Sequence, residues 1–109
     1  MPKRANKLTF KFFLSTKKLQ EYCNNSLDLD LSLCYFIDAC GHYMRIGDRH
    51  YIFIDLENLN RYQVYYDGIE KGIVSVITHE YIHYLLRTYC GVPANLHNED
   101  IIKAISKLY

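Results

Sequence analysis

Over residues 7–14 hydrophobic and polar positions alternate, with Leu8, Phe10 and Phe12 on one side, and this period of two predicts a strand. Ser15 or Thr16 can cap a helix that follows through about Cys23, whose apolar face is Leu19, Tyr22 and Cys23; Asn24-Asn25-Ser26 ends it. Alternation returns at Leu27, Leu29, Leu31 and Leu33 and becomes continuous over residues 34–37, which predicts a second strand or strand-like segment before Gly41. Residues 42–46 and 49–56 flank Gly47-Asp48 as the arms of a hairpin do. Along the second arm Tyr51, Phe53 and Asp55 point one way and Ile52, Ile54 and Leu56 the other. Residues 59–66 fit neither period, and Asp67-Gly68 breaks the chain.

A change of period marks the longest element, a helix over about residues 69–90. Ile69, Ile73, Val76, Ile77, Tyr81, Tyr84, Leu85 and Tyr89 recur on one side, while Ile82 and Leu86 carry apolar surface round to the other. Such a helix is expected to be largely buried. Gly91 is placed to end it in a left-handed cap, and Pro93 forbids its continuation. A last helix is expected from Asn95 or Asn98 to Leu108, with Ile101, Ile102, Ile105 and Leu108 inward. The fold class that results is α+β.

The 109 residues suffice for one domain, and half of them are apolar, so a core needs no staples. A net charge of +1, from 13 basic and 12 acidic residues, lacks the electrostatic footprint of a nucleic-acid binder. Lys3, Arg4, Lys7, Lys11, Lys17 and Lys18 cluster early and read as a solvated end. Cys23, Cys34, Cys40 and Cys90 form no C-x-x-C pair, which argues against a zinc ribbon and favours free thiols in a reducing compartment. Neither a signal-peptide core nor a membrane-length apolar run occurs, so a cytoplasmic protein is expected.

The chemistry concentrates in His79-Glu80-Tyr81-Ile82-His83. Histidines four apart on a helix lie one turn apart on the same face, where two imidazoles can grip one ion. Glu80 is rotated away from both, too far round to ligate easily, yet able to reach a water on that ion as general base. The bland alternative, a core helix that happens to hold these residues, has to bury Glu80 beside two imidazoles without a partner. A third ligand must come from elsewhere. The helix climbs about 10 Å beyond His83, and the seven residues 91–97 can span about 23 Å. Glu99 can therefore turn back to face the histidines; His97 and Asp100 are its rivals.

The HEYIH motif at residues 79–83, followed by a helix beginning Asn98-Glu99, resembles the gluzincin clan of zincin metallopeptidases. The chain length and order of elements are similar to the minigluzincins. That resemblance implies a minimal zincin-like domain over residues 1–109: a small mixed sheet with a backing helix, an active-site helix and a C-terminal glutamate helix. It implies one zinc per chain on His79, His83 and Glu99, a peptide or protein substrate, and a fold in which small members can be latent. One departure is Lys103, which stands where relatives carry an aspartate that orients a ligand histidine. Support must then come from Asp100 or a main-chain carbonyl. The expected activity is peptide hydrolysis, with a zinc-held water as nucleophile and Glu80 as general base. The alternative is a non-catalytic interaction domain with a structural or regulatory zinc, which has no use for Glu80. The tyrosines, His97, His42 and His50 are all possible oxyanion donors. Residues 49–56 are expected to form the edge strand beside the cleft, with Tyr51 and Phe53 turned toward a bound peptide.

Overall fold

The computed structural model describes residues 7–93 and 96–106. Lys3, Arg4, Asn95 and Leu108, all named above, lie outside that range. The first strand, β1 (Lys7–Phe13), runs into α1 (Thr16–Asn25), where Ser15 accepts a hydrogen bond from the Lys18 amide at 3.2 Å as N-cap. A hairpin follows, β2 (Gly41–Ile46) and β3 (Arg49–Asp55), turned at Gly47 with φ 64°. Next come α2 (Leu56–Arg61), a 3-10 turn over Gln63–Tyr66, the long α3 (Ile69–Tyr89) and finally α4 (Glu99–Ser106). The chain is thus α+β, with a three-stranded mixed sheet in the order β1-β3-β2; β1 is parallel to β3 and β2 antiparallel to it. No described helix is long and apolar enough to cross a membrane.

Both faces of the central strand β3 are covered. On one side Leu19 and Cys23 of α1 pack with Phe36, Met44, Tyr51 and Phe53. On the other, Ile52 and Ile54 meet Leu59, Val76 and Tyr84. This overturns the expectation that residues 49–56 form an edge. The strand β3 is central, hydrogen-bonded on both sides, with Tyr51 and Phe53 buried in the core. The alternation at 49–56 was compatible with a half-exposed strand, but β1 returns in parallel and removes that edge. The described free edge beside the hairpin is β2.

Three further expectations change. Residues 27–37 form no strand; they run irregularly into a 3-10 turn, Leu33–Phe36. The long helix buries a single stripe at spacing four, Gly72, Val76, Glu80 and Tyr84, while Val74, Tyr81 and Tyr89 are exposed. In α4 only Ile102 is buried among the described apolar side chains, with Ile101 and Ile105 outside. All four cysteines are free.

One polar cluster fixes the approach to the cleft. Asp55 caps α2 by accepting from the Asn58 amide at 3.0 Å and also receives the Thr16 hydroxyl. Asn58 is fully buried, and its side-chain amide reaches the carbonyls of Phe36, Ile37 and Ala39 at 3.0–3.1 Å. The segment that delivers Cys40 and Gly41 to the cleft is thereby held without regular structure.

Candidate metal centre

The buried stripe of α3 leaves the next face of the helix turned to a cleft of about 880 Å³, into which β2, the 3-10 turn over Gln63–Tyr66 and α4 also look. His79 and His83 stand on that face. Gly91, at φ 67°, ends the run of the chain, and Asn98 caps α4 by accepting from the Ile101 amide at 3.1 Å. The turn so made brings Glu99 back over the histidines. One carboxylate oxygen lies 3.0 Å from His79 Nε2 and the other 3.1 Å from His83 Nε2. The ligand atoms of the three residues lie within 4.8 Å of one another.

These distances fit a metal ion. Bonds of about 2.0–2.1 Å to zinc set tetrahedral donors about 3.3 Å apart, close to the two contacts observed. Electrostatics agree. Burial pulls the pKa of His79 down, against the opposing pull of Glu99, with Lys103 adding to the lowering. His83 is likewise lowered by burial first, Glu99 again opposing. Both imidazoles are thus held toward the neutral form that ligates metal.

Glu80 occupies the buried side of the same helical turn, only 8% exposed, yet it reaches the cleft wall. Burial, reinforced by the charge of Glu99, pushes its carboxyl up to about 8. Gly41 makes room for it. A Cβ there would lie 3.1 Å from Glu80 Cγ and overlap Val76, so only glycine lets β2 approach this closely.

Of the rivals for third ligand, Asp100 is exposed and lines no part of the cleft. His97 is near but stands behind. Its Nδ1 lies 2.7 Å from His83 Nδ1, on the side of the ring away from Glu99, and its Nε2 lies 2.9 Å from the Val92 carbonyl. The group that meets His83 Nδ1 is thus His97, itself held at the Val92 carbonyl, and not Asp100. Neither His42 nor His50 is placed as an oxyanion donor: the His42 ring packs among Tyr35 and Phe36, and the His50 ring is hydrogen-bonded to Tyr43 at 2.7 Å. The tyrosines at the cleft are Tyr43, Tyr62, Tyr65 and Tyr66. Burial, with Cys40 and Glu80 nearby, pushes the Tyr66 phenol up to about 12, so it remains a donor. Nothing in the sequence distinguished Tyr66 from the other tyrosines; its position follows from a 3-10 turn that has no periodic signal.

The edge of β2 borders the same space. Cys40 accepts from the Asp55 amide at 2.8 Å, and Gly41 pairs with Ile54 in register. Hydrogen-bonded pairs alternate in an antiparallel ladder, so Gly41, Tyr43 and Arg45 direct their main-chain groups away from β3. Comparison with known proteins finds no matching family model, no matching curated protein and no matching solved structure.

Proposed function

We propose that this protein is a zinc-dependent peptidase of minimal zincin-like build. The observation that carries the reading is the meeting of His79, His83 and Glu99 in an open cleft that also receives Glu80. Two imidazoles and one carboxylate form a catalytic type of zinc donor set, which leaves a coordination position free. When bound, zinc supplies Lewis acidity and brings a water near its ionisation point at neutral pH.

The chain's own residues do the rest. Glu80 takes the proton of the attacking water and returns it to the leaving amine. A dication at the neighbouring histidines favours the carboxylate form, offsetting the burial that raises its pKa. Main-chain groups of Gly41 and Tyr43 on the free edge of β2 can hold an extended peptide, with Tyr62 and Tyr65 as an aromatic wall. Tyr66, half-buried on the cleft wall with its hydroxyl beside Cys40, is a candidate donor to the oxyanion.

Zinc loading followed by elemental analysis, and cleavage of a quenched-fluorescence peptide mixture, test the reading. One zinc per chain and a rate abolished by chelation are expected. An unmetallated chain after exposure to zinc, or cleavage that survives Glu80→Gln, overturns it. Zinc retained with no cleavage of any peptide points instead to the structural or regulatory site.

A further inference from the structure

The contact between His83 and His97 sets two ring nitrogens 2.7 Å apart, so one must donate and the other accept. Which one donates is settled two atoms further on. The Val92 carbonyl can only accept, so His97 Nε2, at 2.9 Å, carries a hydrogen. In a neutral imidazole the other nitrogen is then a bare acceptor. His97 Nδ1 must receive the hydrogen of His83 Nδ1, and His83 Nε2 is left with a lone pair. That lone pair faces Glu99 Oε2 at 3.1 Å, an atom that also only accepts when ionised. Three contacts run from Val92 through His97 and His83 to Glu99, and two neutral rings hold hydrogens for two of them. The third needs a metal ion or one further proton.

The ring geometry supports an in-plane bond. The two rings are inclined by only 19° with centroids 4.9 Å apart, as rings meeting edge to edge do when their facing nitrogens are in contact. The far end of the relay is anchored as well: the Val92 amide donates to Leu86 at 2.9 Å, which fixes Val92 on the C-terminal turn of α3. Among the described residues no other side chain is hydrogen-bonded to His83 Nδ1, and Lys103, lower on α4, offers no acceptor.

We propose that His97 is the positioning residue of the metal centre, holding His83 in the Nδ1–H tautomer so that Nε2 is presented to the ion. This rests on the metal-site reading above and adds to it a role for a residue that ligates nothing. A hydrogen-bonded acceptor behind a ligand histidine fixes ring orientation and raises basicity, and its loss weakens metal affinity roughly 10–100-fold.

The test is zinc competition against a chromophoric chelator, with NMR of histidine-labelled, zinc-loaded protein at pH about 8, above the ordinary imidazole range. Long-range proton–nitrogen spectra are expected to show the hydrogen of His83 on Nδ1 and that of His97 on Nε2. His97→Ala and His97→Phe are expected to keep one zinc per chain at roughly 10–100-fold lower affinity. His97→Asn is expected to recover much of the loss, because its side-chain oxygen replaces the acceptor; the phenylalanine variant fills the space without one. If wild type takes up no zinc, the site reading fails and this inference with it. If wild type binds zinc but His97→Ala matches it, binds none, or is not rescued by asparagine, only the inference falls.

Discussion

Glu80 and His42 are two buried titratable groups with opposite consequences. Glu80→Gln keeps the shape of the side chain but cannot accept a proton. It is expected to retain zinc and fold while hydrolysis drops by at least about 100-fold, measured with the peptide mixture on zinc-loaded protein. His42 borders the same cleft, but its ring packs between Tyr35 and Phe36. Its Nε2 is buried with no hydrogen-bond partner among the described residues, and burial pulls its pKa down to about 4 against the opposing charge of Asp55. The unfolded chain takes up this proton near 6.5, so between there and 4 the unfolded state binds more protons. Stability is therefore full above that window and lost as pH falls through it, by on the order of 3 kcal/mol. His42→Phe is expected to flatten this acid limb in urea titrations at pH values across the window; parallel curves would sink the explanation. At this scale His79, Glu80 and His83 were legible because helical spacing alone sets their mutual placement. Glu99 followed from chain reach, although Asp100 and His97 reached as well. The relation of His97 to His83 was not legible, since it depends on the backbone path between Gly91 and His97.

Among the elements, α3 and β2 fit together through one missing side chain. Gly41→Ala forces a methyl into Val76 and against Glu80. A cost of about 1–3 kcal/mol is expected from such overpacking, read from urea midpoints, together with loss of cleavage because Glu80 is displaced. Unchanged stability and cleavage would mean that β2 can shift at no cost. The hairpin, α1 and the span of α3 were predictable from turn residues, caps and period. The central position of β3 was not, because alternation records which faces are buried and is silent on which edge a distant strand will cover. Residues 27–37 misled for a related reason. Their leucines alternate, but Leu27, Leu29 and Leu31 pack against the α1 core from an irregular segment, tied by the Leu31 amide to Asn24 at 3.1 Å.

For the molecule as a whole, His79 and His83 lie on α3 and Glu99 on α4, so a metal held by the three would act as a clasp between the two last helices. Zinc at a hundredfold its dissociation constant adds about 2.7 kcal/mol to stability. For a domain of this size the melting midpoint then rises by roughly ten degrees or more, and a chelator reverses it. Differential scanning calorimetry with and without zinc checks this; an unmoved midpoint would mean that no ion binds the folded state preferentially. Limited proteolysis around Gly91 is expected to slow on zinc loading, since opening that loop breaks the site.

The parallel pairing of β1 with β3 joins residues about forty positions apart, Lys7 with Arg49 through Phe13 with Asp55, whereas β2 and β3 meet across a two-residue turn. Closing the longer loop costs more chain entropy before any contact rewards it. The order of assembly should follow: the hairpin and α3 nucleate, and the N-terminal strand and its helix dock afterwards. Val76→Ala, on the hairpin-facing stripe, is expected mainly to slow refolding. Leu19→Ala, on α1, is expected mainly to hasten unfolding. Stopped-flow chevrons of the two variants would separate these, and a reversal of the two limbs would place the N-terminal segment in the nucleus instead.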